Sequence, residues 1–232
     1  MSVKGGPNTV TSGLVLELDA GNIKSYQSGS TTWFDKSGFA NNGTLTNGPT
    51  FNSANGGSMV FDGTDDLVLR TANFAELPTT QLSAFLWIKF SSLGAVYELL
   101  SQGRTPTNYE GEWILTATNV GGIPKFSFWD YNSGYGFDNP RANTTLVTNQ
   151  WYYLGFVKNN TSGTFYLQGI QDGTTTGISK TYTNTGYVLG GGYRDSAQYL
   201  SGNIAIAQIY NRALTADEVL QNYNATKTRF GL

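Results

Sequence analysis

Across most of its length the chain alternates short runs of aliphatic, β-branched and aromatic residues with separators rich in Gly, Asn and Thr. That rhythm restricts it to an all-β architecture, because helices need longer apolar patterns at helical spacing. Gly13–Asp19 alternates as a strand should. Gly57–Phe61 is a short β run closing on an Asp62-Gly63 turn, and Leu67–Leu69 is expected as its hairpin partner. Leu82–Phe90 is a continuous apolar run, which predicts a central strand buried on both faces. Further strands are expected at Val96–Ser101, Glu112–Thr118, Lys125–Trp129, Trp151–Val157, Thr164–Leu167, Tyr187–Leu189 and Ile204–Tyr210, with a hairpin loop at Asn159–Gly163. About a dozen short strands joined by turns argue for two stacked sheets. Residues 21–54 are strand-poor but carry Tyr26, Trp33 and Phe34 as anchors, so an ordered, packed loop region is expected there.

One helix is legible. Thr215-Ala216-Asp217-Glu218 is a capping box, Leu214 and Val219 sit at staple positions, and Val219, Leu220 and Tyr223 give an apolar stripe. The helix should end near Asn224 and brace the sandwich. The fold expected is a two-sheet antiparallel jelly-roll sandwich with one short C-terminal helix. Residues 13–232 form one domain, preceded by an extension over 1–12.

Composition narrows the chemistry. Hydrophobic residues at 39% supply a real core, and charged residues at 13% leave the exterior to Thr, Ser, Asn, Gln and Gly, as on extracellular and virion proteins. A net charge of −2 gives no basic footprint, so nucleic acid is not an expected partner. The chain has neither His nor Cys, which removes Ser–His–Asp triads, His-based acid–base work, thiolate or imidazole zinc sites, and disulfides. No apolar run follows Lys4 and no segment is long enough to span a bilayer, so neither a signal peptide nor membrane insertion is expected.

Two stretches carry a family resemblance: Ser58–Val68, with its Phe61-Asp62-Gly63 turn, and Gly202–Thr215, ending Ile209-Tyr210-Asn211-Arg212-Ala213-Leu214-Thr215. With Leu18-Asp19-Ala20-Gly21-Asn22, Trp33-Phe34-Asp35-Lys36-Ser37-Gly38 and Gly155-Phe156-Val157, they resemble the laminin-G-like, concanavalin A-like jelly-roll family. The Leu220–Lys227 tail is similar to the form found in virion structural proteins of marine tailed phages. The resemblance implies a concanavalin A-like sandwich, a virion-surface location reached after host lysis, and capsid or tail proteins as partners. A homo-oligomer is compatible with such a role. Family members often carry acidic residues after the Ile of the last strand, whereas Ile204–Ala207 is apolar here.

Three candidate sites follow. Glucanases on this fold resemble an E-x-D-x-x-E strand, but Glu17-Leu18-Asp19-Ala20-Gly21-Asn22 ends in Asn and lacks the second carboxylate that glycoside hydrolysis needs. Glu110 and Glu112, flanked by Tyr109 and Trp113, read as a solvated loop entering a strand. A structural Ca²⁺ has its preferred ligands at Asp19, Asp35, Asn41 and Asn42, with Ser37 in the same loop and Asp62, Asp65 and Asp66 as a second cluster. The competing reading is that Asp and Asn there cap their own turns.

Alternation puts Phe126 and Phe128 on one face and Trp129 on the other. If the segments 130–138 and 190–195 meet, Trp129, Tyr131, Tyr135, Tyr193 and Arg194 form a shallow site for a glycan or a protein neighbour. The functional expectation is a non-enzymatic virion surface protein, a capsid decoration or tail-fibre module, that binds neighbouring virion proteins and host cell-surface glycans. The alternatives are a stand-alone lectin and, less favoured, a polysaccharide-degrading glycosidase.

Overall fold

A computed structural model describes residues 7–74, 76–77, 80–94, 96–102, 113–130, 140–178, 181–182, 185–191 and 198–232. In chain order the strands are β1 (Leu14–Asp19), β2 (Thr32–Trp33), β3 (Gly43–Thr46), β4 (Thr50–Asn52), β5 (Ser58–Asp62), β6 (Leu67–Arg70), β7 (Gln81–Phe90) and β8 (Tyr97–Gln102). They continue as β9 (Trp113–Val120), β10 (Ile123–Asp130), β11 (Arg141–Thr145), β12 (Trp151–Asn159), β13 (Ser162–Leu167), β14 (Ile170–Thr176), β15 (Tyr187–Leu189) and β16 (Ser201–Tyr210). Helix α1 (Ala216–Thr226) and a 3-10 turn at Lys227–Phe230 follow.

The strands form two antiparallel sheets. The first runs β14-β13-β12-β7-β16-β5-β4, with β1 paired to the far half of β16; the second runs β11-β10-β9-β8-β15-β6-β3-β2. Strand β7 organises the first sheet. Its Leu82, Ala84, Leu86, Ile88 and Phe90 enter the core between the sheets, while Phe85 and Trp87 enter a second cluster on the opposite face. This is why the run looked continuously apolar: each parity has its own core. The sheets are joined by aromatic stacking. Phe128 of β10 lies on Phe156 of β12 at 4.0 Å between centroids, and Phe126 meets Phe165 of β13 edge-on at 5.7 Å.

The second cluster lies beneath α1. Trp87 stacks on Phe230 at 4.0 Å and donates its Nε1–H to Thr226 Oγ1 at 2.8 Å. The capping box is complete: Glu218 N–H donates to Thr215 Oγ1 and Thr215 N–H donates to Glu218 Oε2. Leu214 and Val219 are both buried in this cluster, as the staple requires. Leu220, expected on the buried stripe, is 41% exposed, and Asn222 takes the inward position instead. Asn222 is buried because it is a clamp. Its Oδ1 accepts from Val10 N–H at 2.7 Å, and its Nδ2 donates to the Tyr210 hydroxyl at 3.0 Å. Val10, within the segment read as an extension, is thereby part of the packing.

Two expectations about strands are corrected. β5 and β6 are not a hairpin: β5 pairs with β16 and β4, and β6 pairs with β15 and β3, so the Asp62-Gly63 turn carries the chain from one sheet to the other. Side chains close it, with Asp62 N–H donating to Asp66 Oδ2 and Thr64 N–H to Asp62 Oδ1. The strand-poor region contains β2, β3 and β4, and the polar stretch Ile170–Thr176 is edge strand β14, tied to β11 by Asp172 and Thr144.

Candidate functional site

Two of the four residues nominated as cation ligands, Asp35 and Asn41, act on the free edge of β1. Asp35 Oδ1 accepts from Glu17 N–H at 2.9 Å and Ser37 N–H at 2.8 Å; Oδ2 accepts from the Ser37 hydroxyl at 2.6 Å and Asn41 N–H at 2.9 Å. Asn41 Nδ2 donates to Val15 O, and Lys36 N–H donates to Glu17 O. The loop thus pairs the backbone of a strand that no other strand among the described residues covers on that side, a protection edges need. Asn42 Oδ1 accepts from Asp35 N–H, which fixes the loop itself. Asp19 faces elsewhere: its Oδ1 meets Arg229 Nη1 at 2.6 Å and Gly21 N–H at 3.0 Å.

A carboxylate offers roughly four lone-pair positions, and four protein donors fill those of Asp35. Asp19 is neutralised by Arg229. This donor set does not fit a cation. Asp62, Asp65 and Asp66 do approach one another, two exposed and one buried. Burial pushes the Asp66 carboxyl above its ordinary value, against the bond from Asp62 N–H. Turn closure accounts for the positions of Asp62 and Asp66, whose carboxylates accept Thr64 N–H and Asp62 N–H.

The aromatic site is only partly visible. Trp129 lies on the outer face of the second sheet, opposite Ile114, while Phe126 and Phe128 face the core as alternation predicted. Tyr131, Tyr135, Tyr193 and Arg194 lie outside the described residues, as do Glu110 and Glu112. The strands preceding the two aromatic segments, β10 and β15, run in opposite directions across the sheet. Beside Trp129 the outer face carries a ring of hydroxyls. Thr116, Thr118 and Ser127 lie within 2.6–2.9 Å of one another, and each is fully buried or nearly so. Each hydroxyl can donate once and accept once, so the ring satisfies itself. Nearby, Ser101 Oγ and Trp129 Nε1 are buried without a partner.

Open concavities lie elsewhere. One of about 350 Å³ is bounded by Asn42, Thr44, Thr46, Leu69, Arg70 and Thr71 on the rim of the second sheet. Another of about 380 Å³ lies where the loop after β1 meets β4, against Ile23, Tyr26, Gln27, Ser28 and Phe51. Sequence reasoning placed Tyr26 as a packing anchor and gave no sign of a pocket beside it; the strand-poor composition of 21–54 concealed β4, its other wall.

Two antiparallel sheets stacked through aromatic side chains define a jelly-roll β-sandwich. The laminin-G-type model of the concanavalin A-like lectin/glucanases superfamily matches residues 61–220, and the chain belongs to that family. The sequence matches no curated protein. Among solved structures, domain 4 of AbnA, a GH43 extracellular arabinanase from Geobacillus stearothermophilus solved in complex with arabinotriose, is similar with a TM-score of 0.72 at 19% identity, over 90% of this chain and 98% of that one. Trypanosoma rangeli sialidase is similar with a TM-score of 0.68 at 13% identity, over 93% of this chain, which spans 33% of the sialidase. The heptameric SAP-like pentraxin of Limulus polyphemus is similar with a TM-score of 0.58 at 19% identity, over 69% of this chain and 78% of that one. At these identities the likeness shows a shared fold.

Proposed function

We propose that this chain is a non-catalytic carbohydrate-binding module carried on an exterior surface, that of a virion in the form the sequence resembles. The observation that carries the glycan reading is the end-to-end likeness to an arabinanase domain solved with a bound arabinotriose. The neutral, Thr- and Asn-rich exterior supports it, since amides and hydroxyls pair with sugar hydroxyls without desolvating charge. The non-catalytic reading is supported by what five of the described carboxylates do. Glu17 faces Lys36, Asp19 faces Arg229, Asp35 holds the β1 edge, Asp172 holds Thr144 and Glu218 holds Arg212. Each has a structural partner, whereas hydrolysis needs two carboxyl groups flanking a scissile bond.

The virion reading is carried by the Leu220–Lys227 tail and the exterior-type composition; capsid or tail proteins are then its neighbours. A glycan array is the first test, with binding to at least one neutral polysaccharide class expected. Incubation with every bound polysaccharide should release no reducing ends; release that disappears on replacing Glu110 and Glu112 would reverse the non-catalytic reading. Peptides of this chain should appear in purified virions of the source phage.

A further inference from the structure

We propose that the concavity beside Tyr26 is a seat for one neutral sugar ring, a proposal that rests on the carbohydrate-binding reading and gives it a location. Tyr26 is 6% exposed. Its ring packs on Phe51 at 5.3 Å with a 34° tilt, and it lines the 380 Å³ pocket. Its hydroxyl makes no hydrogen bond within the protein. Tyr26 lines the open pocket and no protein group occupies its hydroxyl, so that O–H is available to a ligand hydroxyl there.

The surroundings fit the same ligand. Among the described residues no charged side chain lines the pocket, and Arg229, behind its glycine wall, is paired with Asp19, so a uronate, sulfate or phosphate gains no free counter-charge there. Gln27 and Ser28, both exposed, supply an amide and a hydroxyl at the rim. Ile23, 74% exposed, places an aliphatic wall beside them. Its exposure alone would mean little. Next to an aromatic pair and an unpartnered phenol, it completes a surface that is apolar where a sugar presents C–H and polar where it presents O–H. The volume lies near the lower end of the range for small-ligand sites, roughly 300–1,000 Å³, which suits a single ring of a longer chain.

The pocket is also built rigidly. Asn22 O accepts from Ser25 N–H and Tyr26 N–H, and Ser25 bridges Asp19 N–H to Phe34 O. The opposite wall is backbone: a Cβ on Gly21 would fall 2.1 Å from Gly56 O, so the two segments abut. Arg229 fixes that wall by bonding Asp19, Asn55 O and Gly57 O together. A preformed site loses little freedom on binding.

The test is isothermal titration with arabinotriose and maltotriose as neutral probes and trigalacturonate as a charged one. Tyr26→Phe removes only the hydroxyl, and Ile23→Glu puts charge at the mouth of the pocket on an exposed position that the fold does not need. Ile170→Glu, on the remote exposed edge strand, serves as the control. At least one neutral probe should bind the wild type. Tyr26→Phe should weaken that binding about 5- to 10-fold, as loss of one hydrogen bond does, Ile23→Glu should weaken it at least as much, and Ile170→Glu should leave it unchanged. Neutral binding that both pocket variants leave intact would overturn the location while sparing the carbohydrate reading. Tighter binding of trigalacturonate would overturn the neutral class. No neutral binding by the wild type would overturn the pocket and the broader reading together.

Discussion

Replacing Asp35 with Ala separates the edge-capping account from a metal-binding one. The substitution removes the acceptor from four donors, three of them backbone or side-chain groups of the loop and one the Glu17 N–H on β1. Bonds to a carboxylate are worth about 1.5–3 kcal/mol each, but water recovers much of this where it can reach the orphaned donor. Ser37 and Glu17 are half-buried, so their donors regain partial solvation; Asn41 is 1% exposed, so its N–H does not. About 2 kcal/mol for Asn41 and about 1 kcal/mol for the other three together gives roughly 3 kcal/mol of lost stability. Urea unfolding followed by tryptophan fluorescence reads it directly. Asp35→Asn should cost about 2 kcal/mol, because Oδ1 survives while the new amide nitrogen leaves the Asn41 N–H unmet. Loss of the cap also bares the β1 edge, so Asp35→Ala should self-associate at concentrations where the wild type stays monodisperse. Calcium decides the matter. A site filled at about a hundred times its Kd would add about 2.7 kcal/mol. If calcium raised the wild-type midpoint by that much and Asp35→Ala abolished the gain, Asp35 would be a ligand and the capping argument would be wrong.

Further outcomes follow from buried contacts and titrating groups. Asn222→Ala strands both Val10 N–H and a hydrogen-bond position on the Tyr210 hydroxyl, and should cost about 2–3 kcal/mol in urea unfolding. Phe128→Ala removes the ring stacked on Phe156 across the core and should cost about 3–5 kcal/mol, with the loss appearing in the same single transition. Glu218 is held down to about 2 by its bidentate bond from Arg212, so its contribution is complete above the ordinary value of 4.5 and disappears as pH falls through 2. With both side chains 27% exposed, solvent screening trims that contribution to about 1–2 kcal/mol, measured as the difference in acid unfolding between wild type and Glu218→Gln. Burial pushes the hydroxyls of Tyr153, Tyr187 and Tyr210 well above 10, so the native state keeps protons that the unfolded chain gives up; stability should fall as pH rises past 10, with tyrosinate absorbance appearing cooperatively with unfolding.

What the sequence disclosed was decided by side chains near one another in the chain. The two parities of β7, the Thr215–Glu218 capping box and the opposed faces of Phe126 and Trp129 are local patterns, and local periodicity reports which way a side chain points. What it hid was decided by distant backbone. Asp62-Gly63 reads as a turn whether the following strand returns to the same sheet or crosses to the other; the difference lies in β16 and β15, more than a hundred residues further on. Leu220 was misassigned and Asn222 passed over because a helical stripe ranks residues by hydropathy. Asn222 is buried by two hydrogen-bonding needs, one of them more than two hundred residues away.

The same limit explains the cation reading. An oxygen-rich loop of Asp, Ser and Asn has one composition whether it cages an ion or pairs a bare strand edge. The groups that choose between these are Glu17 N–H, Val15 O and Arg229. The first two are main-chain atoms that every residue carries, and the third lies at the opposite end of the chain, so no spacing rule reaches them. Tyr26 follows from this as well. Arg229 bonds Asp19, Asn55 O and Gly57 O, and Asp19 and Gly57 flank the Gly21–Gly56 abutment that walls the pocket. The interaction that removes Asp19 from any cation therefore stabilises the wall of the proposed sugar seat. Replacing Arg229 should disturb that seat without touching a ligand.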